Sequence, residues 1–315
     1  MVKEFEFIRT LLSPLAQSRG AASLKDDVAL LDSGLIVTTD TLVEGVHFLS
    51  ADPLETVGKK LVRVNVSDCI AKGALPHQAL FNLVWPSSRS DEELHALVNG
   101  LGSDLRAFDI DLIGGDTTSS PGRLVLSVTL LGCPVGDNVP RRGDALEGDD
   151  IWITGVIGHG VAGLRAIERN LESDFPQSVL HYRVPQLPSL EIAHLIAQYA
   201  NASADISDGL VADLGNICDA SECGATIRLS DIPLVQNVSS LDLRSVDLLS
   251  GGDDYQCLFT APQNCRGMIE AKTRQTNLTV TRIGRCEASR GLNLLDANGM
   301  PIKLLKTGWE HGGNS

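Results

Sequence analysis

Strand-like apolar runs in this chain repeatedly end on an aspartate. LIVTTD closes on Asp40, DIDLI runs into Gly114–Gly115–Asp116, ASADIS carries Asp205 just before Asp208, and Gly251–Gly252 lead into Asp253–Asp254 ahead of YQCLFT. A carboxylate at the end of a buried run belongs at the rim of a sheet, because a charge inside the core is costly unless it is paired. Carboxylates at several such strand ends can converge across a sheet, a joint pattern stronger than any one member, though spacing alone does not establish the convergence.

The segments between these runs have helical periodicity. Phe5, Ile8, Leu11, Leu12 and Leu15 predict an amphipathic helix over 4–16. VALLDSGLIVTTD predicts two strands joined at Asp32–Ser33–Gly34. Residues 53–72 form a helix whose apolar stripe is interrupted by Asn65 and Asp68, and 78–85 a buried strand. Residues 90–108 form a helix opening on Ser90 and Glu93, a capping-box pair. A strand, RLVLSVTLLGCPV, follows. Residues 136–150 are polar and turn-rich, and divide the chain into an N-terminal domain, 1–137, and a C-terminal domain, 148–315. The second half reads as IWITG (strand), a helix through Ile167, a helix over 188–200, ASADIS (strand), a helix over 209–222, GATIRL and YQCLFT (strands), a helix over 262–273, a strand over 278–284 and a last strand, PIKLLK. Strands and helices alternate in both halves, so the fold class is α/β with two units.

Composition excludes several functions. With 26 basic against 40 acidic residues the net charge is -14, which disfavours a nucleic-acid partner. No basic run exceeds a pair such as Arg141–Arg142. The seven cysteines are odd in number and form no CxxC, so neither a disulfide framework nor a zinc cluster is expected. Acids at Glu4 and Glu6 argue against a signal peptide, and no apolar run reaches the ~18 residues of a membrane span. The expected setting is the cytoplasm, away from membranes. A GxxxxGK[ST] loop is missing. TGVIGHGVAGL lacks the leading strand at the chain start and the ribose-binding acid of a dinucleotide site, and reads instead as a tight strand–helix turn that lines a phosphate site.

Aspartates gathered at one cleft repel one another unless cations neutralise them. Mg²⁺ suits such a site, since it takes oxygen ligands and shares its shell with substrate phosphates. Thr38 and Thr39 add oxygens beside Asp40, and the Gly114–Gly115 and Gly251–Gly252 pairs offer backbone amides to phosphate. Each residue alone has a plainer reading. Aspartate is a common turn residue beside glycine. Asp208 suits the N-cap of the 209–222 helix. His47 faces either a substrate phosphate or a loop interior, Arg141 either phosphate or solvent, and Trp309 either stacks on a ring or anchors the tail.

EFEFI, DDVALL, TTDTLVEGVHF, NVSD with its following alanine and glycine, LIGGDTT, DISDGL and SGGDDY occur in that order along nearly the whole chain. In this the chain resembles the thiamine-monophosphate kinases, whose superfamily includes the aminoimidazole-ribonucleotide synthetases and selenophosphate synthetases. The resemblance implies a two-domain fold with mixed sheets, a homodimer joined through the N-terminal sheet, and an active site between the domains. It implies ATP and thiamine monophosphate as substrates, several Mg²⁺ ions, and direct transfer without a phosphoenzyme. By resemblance, Asp27, Thr38, Thr39, Asp40, Asp68, Asp116, Asp205 and Asp208 are metal positions. Gly115, Asp116, Arg141 and Ser207 contact ATP, and His47, Asp253 and Trp309 contact the thiamine phosphate. A ring synthetase or a hydrogenase-maturation relative is the enzymatic rival, and a non-catalytic binding protein the rival from another class.

The chain departs from the family pattern in places. Lys25 precedes Asp26–Asp27 where glycine is usual, Asp253 stands for a glutamate one methylene longer, and Gln256 stands where an acid is common. No general base is assigned, because a phosphate monoester with a second pKa of about 6 is already largely ionised at neutral pH.

Overall fold

The structure is a computed structural model that describes residues 4–276, 278–303 and Gly308. Its first turns do not form the single helix expected over 4–16. They run as α1 (Glu4–Phe7), a π-helical turn over Ile8–Leu12 and a 3-10 turn over Ser13–Leu15. Phe7, Leu11, Leu12 and Leu15 are exposed. A short helix depends on packing for stability, and Pro14 supplies no N–H to continue the ladder.

Among the described residues the strands form two sheets. The first has the order β1-β2-β5-β3-β4, built from β1 (Ala29–Leu30), β2 (Ile36–Val43), β3 (Ala74–Pro86), β4 (Asp111–Ser120) and β5 (Val125–Pro134). Only β3 and β4 run parallel in it. Their crossover carries α3 (Asp91–Ala107), which opens on the expected capping box between Ser90 and Glu93. β4 does not stop at Gly114. It continues through Asp116 to Ser120 as an edge strand, nearly all of it exposed.

The second sheet has the order β11-β8-β10-β6-β9-β7. In chain order its elements are β6 (Asp150–Thr154), α4 (His159–Glu168), α5 (Pro176–Arg183), α6 (Glu191–Tyr199), β7 (Ala202–Asp205), α7 (Leu210–Ser221) and β8 (Gly224–Arg228). They continue with α8 (Ser245–Leu249), β9 (Cys257–Ala261), α9 (Arg266–Thr276), β10 (Val280–Glu287) and β11 (Gly291–Leu295). β11 is the last strand among the described residues, ahead of PIKLLK, which was expected to be one. Pro301 forms only an isolated bridge to Leu295, and 304–306 lie outside the described residues.

α2 (Leu54–Ala71) joins the two halves. It is buried around most of its circumference. Val57, Leu61 and Ile70 share one core with Leu126 and Val128 of the first sheet and with Trp152, Ile196 and Phe259 of the second half. Backbones touch where α2 crosses α3: a side chain at Gly58 would lie 2.3 Å from Leu97 O, and one at Gly100 1.9 Å from Glu55 O. Polar side chains of α2 also reach across, with Arg63 Nη1 donating to Pro185 O at 2.8 Å. The helix thus carries Lys60, Asn65, Ser67 and Asp68 into the seam between the sheets.

Candidate active site

Asp27 before β1, Asp68 on α2 and Asp205 at the end of β7 offer carboxylate oxygens that all lie within 4.8 Å of one another. Each sits where its element ends or enters the seam, so three distant segments supply one cluster. Thr38 Oγ1 donates to Asp68 Oδ2 at 2.5 Å, and Ser67 Oγ donates to Asp205 Oδ2 at 2.8 Å. Asn65 Oδ1 accepts the N–H of Asp40 at 3.1 Å, which fixes that end of β2 against the helix.

The cluster is short of positive charge. Burial, then the charges of Asp205, Asp40 and Asp27, push the Asp68 carboxyl well above its ordinary range. Burial and Asp27 raise Asp205 to about 8. Burial, then Asp27 and Asp208, raise Asp40 to about 6. Asp27 goes the other way: burial opposes its charge, but Arg142 and Lys72 outweigh burial and hold it low. Arg142 pairs with Asp27 Oδ1, while Lys72 Nζ lies 2.7 Å from Oδ2 and 2.5 Å from Asp26 Oδ1. Neither Lys72 nor Arg142 was singled out from sequence. A signal was present, since Lys72 closes a helix whose neighbours are all apolar or small.

Asp208 does not cap the next helix, whose N-cap is Gly209 without a side-chain bond. Asp213, one turn into α7, plays the tethering part instead. Its Oδ2 accepts the N–H groups of Ser207 and Asp208, each at 3.1 Å. Ser207 O in turn accepts the Asp253 N–H at 2.9 Å.

Lys60 organises the expected acceptor side. Its ammonium donates to Asp253 Oδ2 at 2.7 Å and to His47 O at 3.0 Å, and sits 4.5 Å above the Tyr182 ring. Tyr255 OH donates to Asp253 Oδ1 at 3.0 Å, so the shorter acid is held from both sides. His47 Nδ1 accepts the Val43 N–H at 3.0 Å, which fixes the ring's tautomer. The other departures are structural: Lys25 is exposed, and Gln256 is buried, accepting from Thr154 Oγ1 at 3.0 Å and donating to Gln186 O at 2.9 Å.

Other expected residues stand apart from the cluster. The Thr39 hydroxyl points to the opposite face of β2, donating to Val128 O at 3.0 Å, because neighbours on a strand alternate sides. Asp116 is exposed on β4. Gly115 has φ +147, and a side chain there would meet Phe81 O at 1.8 Å, so strand packing demands this glycine. Arg141 is exposed at the start of the 3-10 turn Arg142–Asp144, while its neighbour Arg142 enters the cluster. Trp309 lies outside the described residues.

Comparison with known proteins places this geometry. Residues 25–133 match the family AIR synthase related protein, N-terminal domain, and residues 147–296 match AIR synthase related protein, C-terminal domain. Thiamine-monophosphate kinase of Caulobacter vibrioides is 34% identical over 98% of this chain and 91% of its own length. The chain belongs to the thiamine-monophosphate kinase family. The Salmonella typhimurium thiamine-monophosphate kinase is 35% identical over 98% of both chains. Among solved structures, AaThiL complexed with AMPPCP and TMP superposes with a TM-score of 0.84 at 30% identity, covering 98% of this chain and 97% of that one. Membership of the thiamine-monophosphate kinases makes this chain an enzyme, a kinase with two mixed α/β domains. Lys60, Lys72, Arg142 and Asp213 join the residues that organise its site.

Proposed function

We propose that this chain transfers the γ-phosphoryl group of ATP to the phosphate of thiamine monophosphate, giving thiamine diphosphate and ADP. The observation that carries the reading is the convergence of Asp27, Asp68 and Asp205, with ligand oxygens within 4.8 Å, in a member of this family. The donor set fits Mg²⁺: every ligand atom is oxygen, and the carboxylates are held close with too few protein cations to balance them. Asp27, Asp40, Asp68, Asp205 and Asp208 would hold such ions, with Thr38 beside them and Asp116 on the edge strand. When bound, divalent ions neutralise and orient the phosphates of two anionic substrates.

The chain's own groups supply the rest. Arg142 carries a guanidinium into the cluster, where it can pair with a phosphate once Asp27 has another cation. Asp213 fixes the Ser207–Asp208 turn that faces the cluster. Lys60 fixes Asp253 and the His47 loop for the acceptor. The acceptor oxygen is already ionised, so transfer is direct and in line, and no side chain serves as base or nucleophile. We further read the enzyme as a cytoplasmic homodimer. The exposed edge β4, with Leu112 and Ile113 about half exposed, supports pairing through the first sheet. No helix of the described residues is long and apolar enough to cross a membrane.

The test is to incubate purified protein with ATP, Mg²⁺ and thiamine monophosphate and to quantify products by chromatography. ADP and thiamine diphosphate are expected in equal amounts. Absence of both, with another phosphorylated acceptor consumed instead, would overturn the reading.

A further inference from the structure

Lys72 is fully buried, yet it makes three polar contacts from three directions. Its Nζ lies 2.5 Å from Asp26 Oδ1, 2.7 Å from Asp27 Oδ2 and 2.5 Å from Ser203 O. Asp26 and Asp27 belong to the segment before β1, Lys72 to the C-terminal end of α2, and Ser203 to β7 in the second half. One ammonium therefore ties together the three segments that also carry Asp27, Asp68 and Asp205.

Two features separate this from an ordinary buried ion pair. Asp27 is shared between two cations: Lys72 Nζ lies 2.7 Å from its Oδ2, and Arg142 pairs with its Oδ1. Asp26 is the acidic neighbour of a metal position, and its carboxylate is already held by the ammonium. A cluster of carboxylates recruits cations until its charge is offset, and a fixed cation within it lowers that demand.

We propose that the Lys72 ammonium is an internal cation of the acidic cluster, holding Asp26 out of the metal shell and positioning Asp27, so that the chain takes up one divalent ion fewer than its carboxylates alone would bind. The inference rests on the reading of the cluster as a divalent-ion site. Lys72 acts through the aspartates and is a positioning residue. Methionine matches the length of its stem without the charge, which makes Lys72→Met the direct test.

Mn²⁺ binding to wild type, Lys72→Met and the double variant Asp26→Asn with Lys72→Met would be counted by electron paramagnetic resonance, without nucleotide. Melting temperatures would be read with chelator and with saturating Mg²⁺. The expected result is about one additional Mn²⁺ per chain in Lys72→Met, with a larger Mg²⁺-dependent rise in melting temperature than wild type shows. The double variant, which removes one charge of each sign, returns to the wild-type count. Should Lys72→Met fail to fold in chelator, recovery of its fold by Mg²⁺ with the added ion supports the proposal, and failure to fold in both conditions, with a double variant that departs from the wild-type count, overturns it. Equal counts and equal Mg²⁺ shifts in wild type and Lys72→Met overturn the role of Lys72 alone. No Mn²⁺ binding to wild type overturns the metal reading together with it.

Discussion

Asp149 and Asp68 are both buried carboxylates in the middle of this molecule, and their surroundings differ. Asp149 accepts from Asn201 Nδ2 at 3.0 Å, from Thr260 Oγ1 at 3.0 Å and from the Leu146 N–H at 3.0 Å. Its neighbour Asp150 is clamped by Arg266 at 2.6 and 2.7 Å. Asp68 receives the Thr38 hydroxyl, and Asp205 the Ser67 hydroxyl, while further carboxylates crowd both. Burial alone therefore does not mark a metal ligand. On the proposed reading, the shortage of donors around Asp68 and Asp205 leaves charge for divalent ions to balance.

Replacing one residue from each set breaks the comparison most sharply. Asp68→Asn should lower turnover by about two to three orders of magnitude, equivalent to several kcal/mol of lost charge stabilisation, with no loss of melting temperature in chelator. Steady-state kinetics at saturating Mg²⁺ and a thermal scan read the two effects, and an unchanged rate would make Asp68 structural. Asp149→Ala should do the reverse. It strands Asn201, Thr260 and the Leu146 amide, costing about 3 kcal/mol in denaturant unfolding, while turnover per folded molecule stays near wild type.

His181 sharpens the donor-saturated side through pH. Its Nε2 donates to Asp254 O at 3.0 Å and its Nδ1 accepts the Gln186 N–H at 3.3 Å, so it is built to be neutral. Burial, then the nearby His159, lower its pKa to about 4. The unfolded chain takes up this proton first, near pH 6.5, so folding stability is lost as pH falls from there towards about 4. The loss should reach about 2 kcal/mol by pH ~4.5, and His181→Gln should remove this acid-dependent part. The smallest effect belongs to Thr39→Val, which loses a bond to Val128 O and should cost at most about 1 kcal/mol with turnover little changed. A fall in rate like that of Asp68→Asn would put the Thr39 hydroxyl in the metal shell.

The elements were largely legible because periodicity records burial. The 53–72 and 90–108 helices appear as Leu54–Ala71 and Asp91–Ala107. The failures have physical causes. The apolar spacing of 4–16 has no core beneath its exposed leucines. The Gly114–Gly115 pair looked like the end of a strand, whereas β4 runs through it, with Gly115 needed where the chain passes Phe81 O. In the site, aspartates were legible as strand-end charges, but their partners were not. Lys60 is one of several cations on its helix and Lys72 follows an apolar stretch, but their partners Asp253, Asp26 and Asp27 lie far away in sequence. Arg141 and Arg142 are indistinguishable in a polar linker, and only the 3-10 turn decides that Arg142 faces inward.

The central claim is that the cluster of Asp27, Asp40, Asp68 and Asp205 awaits divalent cations, and the pH dependence of stability tests it with and without Mg²⁺. Burial and mutual repulsion raise Asp40 to about 6 and Asp205 to about 8. Groups raised in the folded state contribute their full stability below the unfolded carboxylate value near 3.8 and have lost it once pH has climbed through those raised values. In chelator the melting temperature of His181→Gln, which lacks the opposing acid-dependent part, should therefore fall between about pH 4 and pH 8, and saturating Mg²⁺ should abolish that fall. An identical decline with and without Mg²⁺, or a rise with pH in chelator in this His181→Gln background, would contradict the account.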